Sequence, residues 1–185
     1  MKGIMFNLFE DVVVRHAGDE AWDRMLDQAG LEGAYTSLGN YQDEEFAQLV
    51  KVHAANCGKS ERESLAWFGQ RAMPFLTERF PEYFSSFTSL RPFLLSLNDV
   101  IHAEVRKLYP GADVPVFQFD SPGSAHDALH IRYRSKRRLC PLAEGFIAGA
   151  ADHFRERVAI TQPECMLDGA AECTLVCRFE GRTEA

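Results

Sequence analysis

The chain has 185 residues, 46% of them apolar and 25% charged, with a formal net charge of −7 at pH 7. This length suits one domain, or one domain in two lobes, and the acidic balance argues against general nucleic-acid binding. No apolar run is long enough to span a bilayer. Asn7, Glu10 and Asp11 interrupt the order of a secretory signal, so a cytoplasmic protein with reduced cysteines is expected.

The first part reads as helices. Ile4, Leu8 and Val12, with Phe9 and Val13, recur at helical spacing up to a stop at Gly18. Asp19 is placed to cap a second helix carrying Trp22, Met25 and Leu26 and closed by Gly30, and Asp43 a third that ends near Gly58. Ser60-Glu61-Arg62-Glu63 is a capping box for a fourth. Pro74 and Pro81 are expected to break the following stretch into shorter pieces. Leu90 to Leu108 reads as one long helix that carries His102 and ends at Pro110-Gly111.

The second part changes character. Val114 to Phe119 reads as a strand and Asp120 to Gly123 as a turn. Leu129, Ile131 and Tyr133 alternate with His130, Arg132 and Arg134 in a second strand. Pro141 suits the first turn of a helix through Phe154. Val158 to Met166 and Cys173 to Phe179 complete four strands. The expected class is α+β: a helical N-terminal lobe, about residues 1–63, and a C-terminal lobe, about 64–185, of helices and a four-stranded antiparallel sheet.

One short run stands out. In a strand, alternate side chains share a face. Tyr133, Ser135 and Arg137 would thus present a phenol, a hydroxyl and a guanidinium together. That set can cradle one or two carboxylates, with Arg137 able to pair bidentately. Thirty-one residues before Tyr133, His102 sits in an apolar helical pattern that could aim an imidazole into the same cavity. A carboxylate clamp with one inward histidine is what a haem needs. The plainer alternatives are a histidine satisfied within the core and an ordinary exposed strand. Arg134, Lys136 and Arg138 alternate to the other face, as solvated charges or a partner surface.

Tyr-x-Ser-x-Arg after an Ile-His helix ending in Lys107-Leu108-Tyr109-Pro110 resembles the haem nitric oxide/oxygen binding (H-NOX) family. Met1-Lys2-Gly3-Ile4, Trp22 with Ala29-Gly30, Phe68-Gly69, Pro115 and Gly145 through Gly149 extend the resemblance over nearly the whole chain. It implies haem b between the lobes, His102 as its axial ligand, and Tyr133, Ser135 and Arg137 on the propionates. Pro115 would press on a pyrrole ring. Ile4, Met5, Leu8, Phe9, Leu142 and Phe146 would lie on or near the ligand side.

Oxygen-binding members supply a tyrosine nine residues after the motif tyrosine and a tryptophan near the start; here these positions are Leu142 and Phe9. A missing buried hydrogen bond costs ~1–3 kcal/mol, roughly ten- to a hundredfold in affinity. Nitric oxide and carbon monoxide are therefore the expected ligands, with Tyr83 or Gln70 as alternative donors. Some members hold zinc through three cysteines and a histidine. Cys140, Cys165 and Cys173 match the cysteine positions, Gln162 stands at the histidine position, and Cys177 is a candidate fourth ligand. The alternatives are reduced buried thiols or thiol oxidation as a signal.

The resemblance implies a sensor, not an enzyme, that regulates a histidine kinase or a cyclic-di-GMP enzyme (diguanylate cyclase or phosphodiesterase). In it, nitric oxide weakens the iron–His102 bond, strain against Pro115 and Ile4 or Met5 relaxes, and the lobes shift. Nucleic acid and membrane are not expected as partners. A haem or thiol redox sensor, a peroxidase-like enzyme and a haem-free interaction module are the competing readings.

Overall fold

The computed structural model describes residues 1–119 and 128–183; the turn expected at Asp120 to Gly123 lies outside the described residues. Four helices open the chain: α1 (Gly3–Ala17), α2 (Asp19–Ala29), α3 (Asp43–Cys57) and α4 (Glu61–Arg79). Gly30 and Gly58 end α2 and α3 in the left-handed conformation, at φ 66° and 62°, a geometry glycine adopts without a Cβ penalty. Asp19 and Asp43 are first-turn residues, not caps; Gly18 and Gln42 take the cap positions. Their carboxylates still favour the positive end of each helix. The Ser60/Glu63 box is formed, with the Ser60 side chain accepting from the Glu63 N–H.

Pro74 does not break α4, which runs through it to Arg79. A proline removes one backbone hydrogen bond and crowds the preceding turn. Here the helix is held by its packing against α8 (Cys140–Phe154). Three glycines bring those two helices close: a Cβ on Gly145 would sit 2.1 Å from the Ala66 carbonyl oxygen, and one on Gly69 2.5 Å from that of Leu142. One on Gly149 would lie 2.6 Å from the Gln70 carbonyl oxygen.

The expected helix from Leu90 to Leu108 is interrupted. After the short α5 (Glu82–Ser85) come α6 (Leu90–Leu95), a π turn over Leu97–Ile101, and α7 (His102–Leu108). The cause is local competition for hydrogen bonds. The Ser96 hydroxyl donates to the Phe93 carbonyl at 2.7 Å, and the Asn98 amide is committed to the backbone of Phe117.

The sheet is antiparallel in the order β1-β2-β4-β3, from β1 (Val116–Phe119), β2 (Ala128–Arg134), β3 (Glu156–Glu164) and β4 (Cys173–Arg182). The architecture is α+β. β2 ends at Arg134, so Tyr133 alone of the carboxylate-clamp motif lies on the strand. The chain turns there because the Arg138 N–H bonds the Ser135 carbonyl, the Arg137 N–H bonds the Ser135 hydroxyl, and Arg138 takes a positive φ of 52°.

Two apolar cores result. One gathers Phe6, Phe9, Val12, Trp22, Phe46, Leu49 and Phe68 from α1–α4, joined by Leu142 of α8. The other packs Phe84, Leu90, Phe93 and Ile147 against Phe117, Leu129, Ile131, Tyr133 and Leu175 of the sheet. Helices α4 and α8 contribute to both cores. Among the described residues, no helix is long and apolar enough to cross a membrane.

Candidate haem cavity

A cavity of about 330 Å³ opens between α1, α4, α6, α7, α8 and the start of the sheet. Its walls include His102, Pro115, Tyr133, Ser135 and Arg137, and on the helical side Ile4, Met5, Leu8, Leu142 and Phe146. Residues spread over more than 130 positions of sequence thus converge on one space of the size that ligands occupy.

His102 is the first residue of α7. Its imidazole stacks on Phe117, with centroids 5.5 Å apart and planes 24° apart. Burial pulls its pKa down to about 4, the Arg106 cation adds to this, and the Pro115 carbonyl opposes it. At neutral pH the ring is uncharged and keeps a lone pair for a metal. Its Nδ1 is enclosed, and the Pro115 carbonyl faces the ring.

Tyr133 is 2% exposed, and its ring meets Phe117 at 5.6 Å. Burial pushes its pKa up to about 12, against a lowering by the Ser135 hydroxyl, so the phenol stays protonated and able to donate. Arg137 is held on the cavity wall by carboxylate and carbonyl oxygens. Its Nε lies 2.8 and 2.9 Å from the two oxygens of Asp43, and its Nη1 donates to the Asp113 carbonyl at 2.8 Å. Asp43 also accepts from the Met1 ammonium at 2.6 Å. Burial raises the Asp43 pKa, but these two cations outweigh it and hold the carboxyl below its ordinary value.

Phe9 does not line the cavity. It is fully buried in the N-terminal core, packed against Trp22, Phe46, His53 and Phe68 at ring distances of 4.7 to 6.0 Å. Successive helical side chains are rotated by about 100°, so Leu8 faces the cavity while Phe9 faces the core. Gln70 also stays out; its amide donates to Asp152 at 2.8 Å. Tyr83 is on the wall, stacked on Phe80. Phe117, Asn98 and Asp43 were not legible as parts of this site. Phe117 reads as an ordinary apolar strand residue, and the partners of the other two are distant in sequence.

The cysteines form a separate cluster. The sulfurs of Cys140, Cys165 and Cys173 lie within 4.8 Å of one another, with Cys140 and Cys165 3.5 Å apart. Zinc–thiolate bonds of about 2.3 Å place tetrahedral sulfurs roughly 3.8 Å apart, so three donors suit a metal. Cys177 is not a fourth. It shares a strand face with Cys173, but four residues of strand span roughly 13 Å, and it is buried between Leu129 and Ile160 instead. Gln162 is bonded to Arg62, which also reaches Cys165 at 3.6 Å and Glu144 at 3.2 Å. Burial raises the Cys140 and Cys173 thiols. At Cys165 burial acts in the same direction but is outweighed by Arg62, so its pKa is lowered.

The haem-NO-binding (HNOB) family pattern matches residues 2–162. An H-NOX protein from S. oneidensis, solved in the Fe(II)NO ligation state, is 31% identical, with a TM-score of 0.90 over 98% of this chain and all of that one. The same organism's domain in the Fe(II)CO state is 31% identical, with a TM-score of 0.87 over 97% of this chain and 99% of that one. An Fe(II) unliganded H-NOX mutant from K. algicida is 29% identical, with a TM-score of 0.85 over 97% of each chain. With its motif residues gathered on one cavity and its sequence matched almost throughout, this chain belongs to the H-NOX family of haem-based gas sensors.

Proposed function

We propose that the chain is a haem b sensor of nitric oxide and carbon monoxide that signals, without catalysis of its own, to a cytoplasmic partner such as a histidine kinase or a cyclic-di-GMP enzyme. The observation that carries the haem reading is His102, a neutral imidazole on the wall of an apolar cavity that also gathers Tyr133, Ser135 and Arg137. The residues suit the group: one imidazole for the iron, apolar side chains for the ring, and a protonated phenol, a hydroxyl and a guanidinium for two carboxylates. When bound, haem supplies a ferrous iron with one face free for a diatomic gas.

The protein's own residues then do the rest. Ile4, Met5, Leu8, Leu142 and Phe146 exclude water and offer no hydrogen-bond donor from their side chains, which suits nitric oxide and carbon monoxide and disfavours oxygen. Arg137 is held through Nε by Asp43 and through Nη1 by Asp113, and among the described residues its Nη2 is left for a carboxylate. His102 opens α7, so force on its ring is delivered to α7 and the π turn, and from there to the surface a partner reads. A partner responds only to the free-energy difference between two such arrangements. Reconstitution with haem, followed by absorption spectra under nitric oxide, carbon monoxide and air, tests this. The expected outcome is a ferrous band that moves with the first two gases and holds still in air.

The cysteine trio would take zinc through Cys140, Cys165 and Cys173, with Cys177 uninvolved. The mutual distances of the sulfurs favour this over three unrelated thiols. Metal analysis of native protein and Cys165→Ala decides it: about one zinc per chain that the substitution removes, or none in either.

A further inference from the structure

We infer that Asn98 is a positioning residue for His102, acting through the backbone of Phe117. The inference rests on the haem reading above and adds to it a residue outside the Tyr-x-Ser-x-Arg motif. β1 is an edge strand, paired on one side only, with Phe117 opposite Tyr133. In an antiparallel pair, alternate residues turn their N–H and C=O groups away from the partner strand. At an edge those groups need other partners. Asn98 supplies both: its Nδ2 donates to the Phe117 carbonyl at 2.5 Å, and its Oδ1 accepts from the Phe117 N–H at 3.3 Å. One side-chain amide thus stands in for a neighbouring strand.

The placement gives that contact a consequence. Asn98 lies in the π turn, one helical turn before His102. Phe117 is the ring on which His102 stacks, and it touches Tyr133 as well. The amide clamp therefore closes a loop of contacts: helix to strand through Asn98, strand to imidazole through Phe117, and imidazole back to the helix through its own backbone. Phe117 is 7% exposed and cannot turn freely. Without the clamp, the π turn and β1 would be joined at this point chiefly by apolar contact, which is not directional. The imidazole would lose its fixed angle. Asn98 makes this contact from within the π turn, a feature frequent at functional sites.

The test uses the full chain with haem, comparing native protein, Asn98→Ala and a control, Val100→Ala, whose exposed side chain lies in the same turn. Resonance Raman spectra of the ferrous protein read the iron–histidine stretch directly. Asn98→Ala is expected to lower and broaden that band and to raise the share of nitric oxide complex that has lost the histidine, whereas Val100→Ala leaves both as in native protein. In haem-free protein, exchange of the Phe117 amide should speed up about tenfold in Asn98→Ala. Asn98→Asp keeps the acceptor for the Phe117 N–H, and it carries the same test, with an intermediate band shift, should the alanine variant not fold. A band of unchanged position and width in either Asn98 variant overturns the positioning role. Native protein that takes up no haem overturns the haem reading instead, and the Phe117 exchange rate still reports whether the clamp exists.

Discussion

Arg137, on the cavity wall, is bridged to Asp43, its guanidinium Nε lying 2.8 and 2.9 Å from the two carboxylate oxygens. Arg137 follows β2 and Asp43 opens α3, so the pair ties the sheet to the N-terminal helices. Asp43 is nearly half exposed, at 45% of its side chain, and such a pair contributes only about 1 kcal/mol to stability. In the proposed function, the pair holds the guanidinium ready for a carboxylate. Arg137→Leu should weaken haem affinity roughly ten- to a hundredfold, the worth of a charge-assisted hydrogen bond of ~1.5–3 kcal/mol. Thermal stability should change little. Haem transfer to an acceptor protein measures the first and calorimetry the second.

The cavity wall predicts a gain of function. Leu142 is buried on that wall, at the position nine residues after Tyr133. Leu142→Tyr would bring a buried hydroxyl donor to an apolar chamber. A stable ferrous oxygen complex is expected, favoured by ~1–3 kcal/mol over native protein. Spectra recorded in air, with autoxidation followed over time, check this. An air spectrum identical to that of native protein would count against the geometry of the chamber.

Gly145 predicts a stability loss. A methyl group there would sit 2.1 Å from the backbone oxygen of Ala66, which cannot move without displacing α4. Gly145→Ala should cost about 2–3 kcal/mol, in the upper range for overpacking. Denaturant unfolding of the haem-free chain gives the value. Gly111→Ala is a poor control because its φ of 77° adds strain of its own.

His53 predicts a pH dependence. It is 5% exposed, bonded to Ser64 at 2.7 Å and stacked on Trp67. Burial, with Lys59 adding to it, lowers its pKa from 6.5 to about 4. In the unfolded chain it takes up a proton below about pH 6.5; in the folded protein it does not until about pH 4. The unfolded state therefore binds more protons between these values, and stability falls as pH drops through that window. Between pH 7.5 and 5.0 the loss from this one group should be about 1–2 kcal/mol, allowing for partial solvent screening. Urea unfolding at the two pH values measures it, and His53→Gln should remove this group's share while leaving that of His102, whose pKa burial also lowers to about 4.

These sites differ in how well the sequence disclosed them, and the reasons are physical. Helices α1 to α4 were legible because apolar residues recur at helical spacing and Gly18, Gly30 and Gly58 punctuate them. The carboxylate cradle was legible as residue types but not as geometry, since the chain leaves the strand at Arg134 and Ser135 builds a turn. The π turn was hidden because Ser96 and Asn98 look like ordinary polar helix positions. Asn98 acquires its role only when Phe117, nineteen residues away, presents an open edge. Pro74 misled in the other direction: its local cost is outweighed by helix packing that no local rule contains. Cys177 shares a face with Cys173, but a shared face does not imply proximity along a strand.

The most direct test of the account is the absorption spectrum of the haem-reconstituted ferrous chain, with and without the ring of His102. The account predicts that native protein shows a histidine-ligated band, shifts it under nitric oxide and carbon monoxide, and keeps it in air, and that His102→Ala loses that ligation or the haem itself. A native protein that stays colourless after haem supplementation, or a His102→Ala variant with the native band, would contradict it.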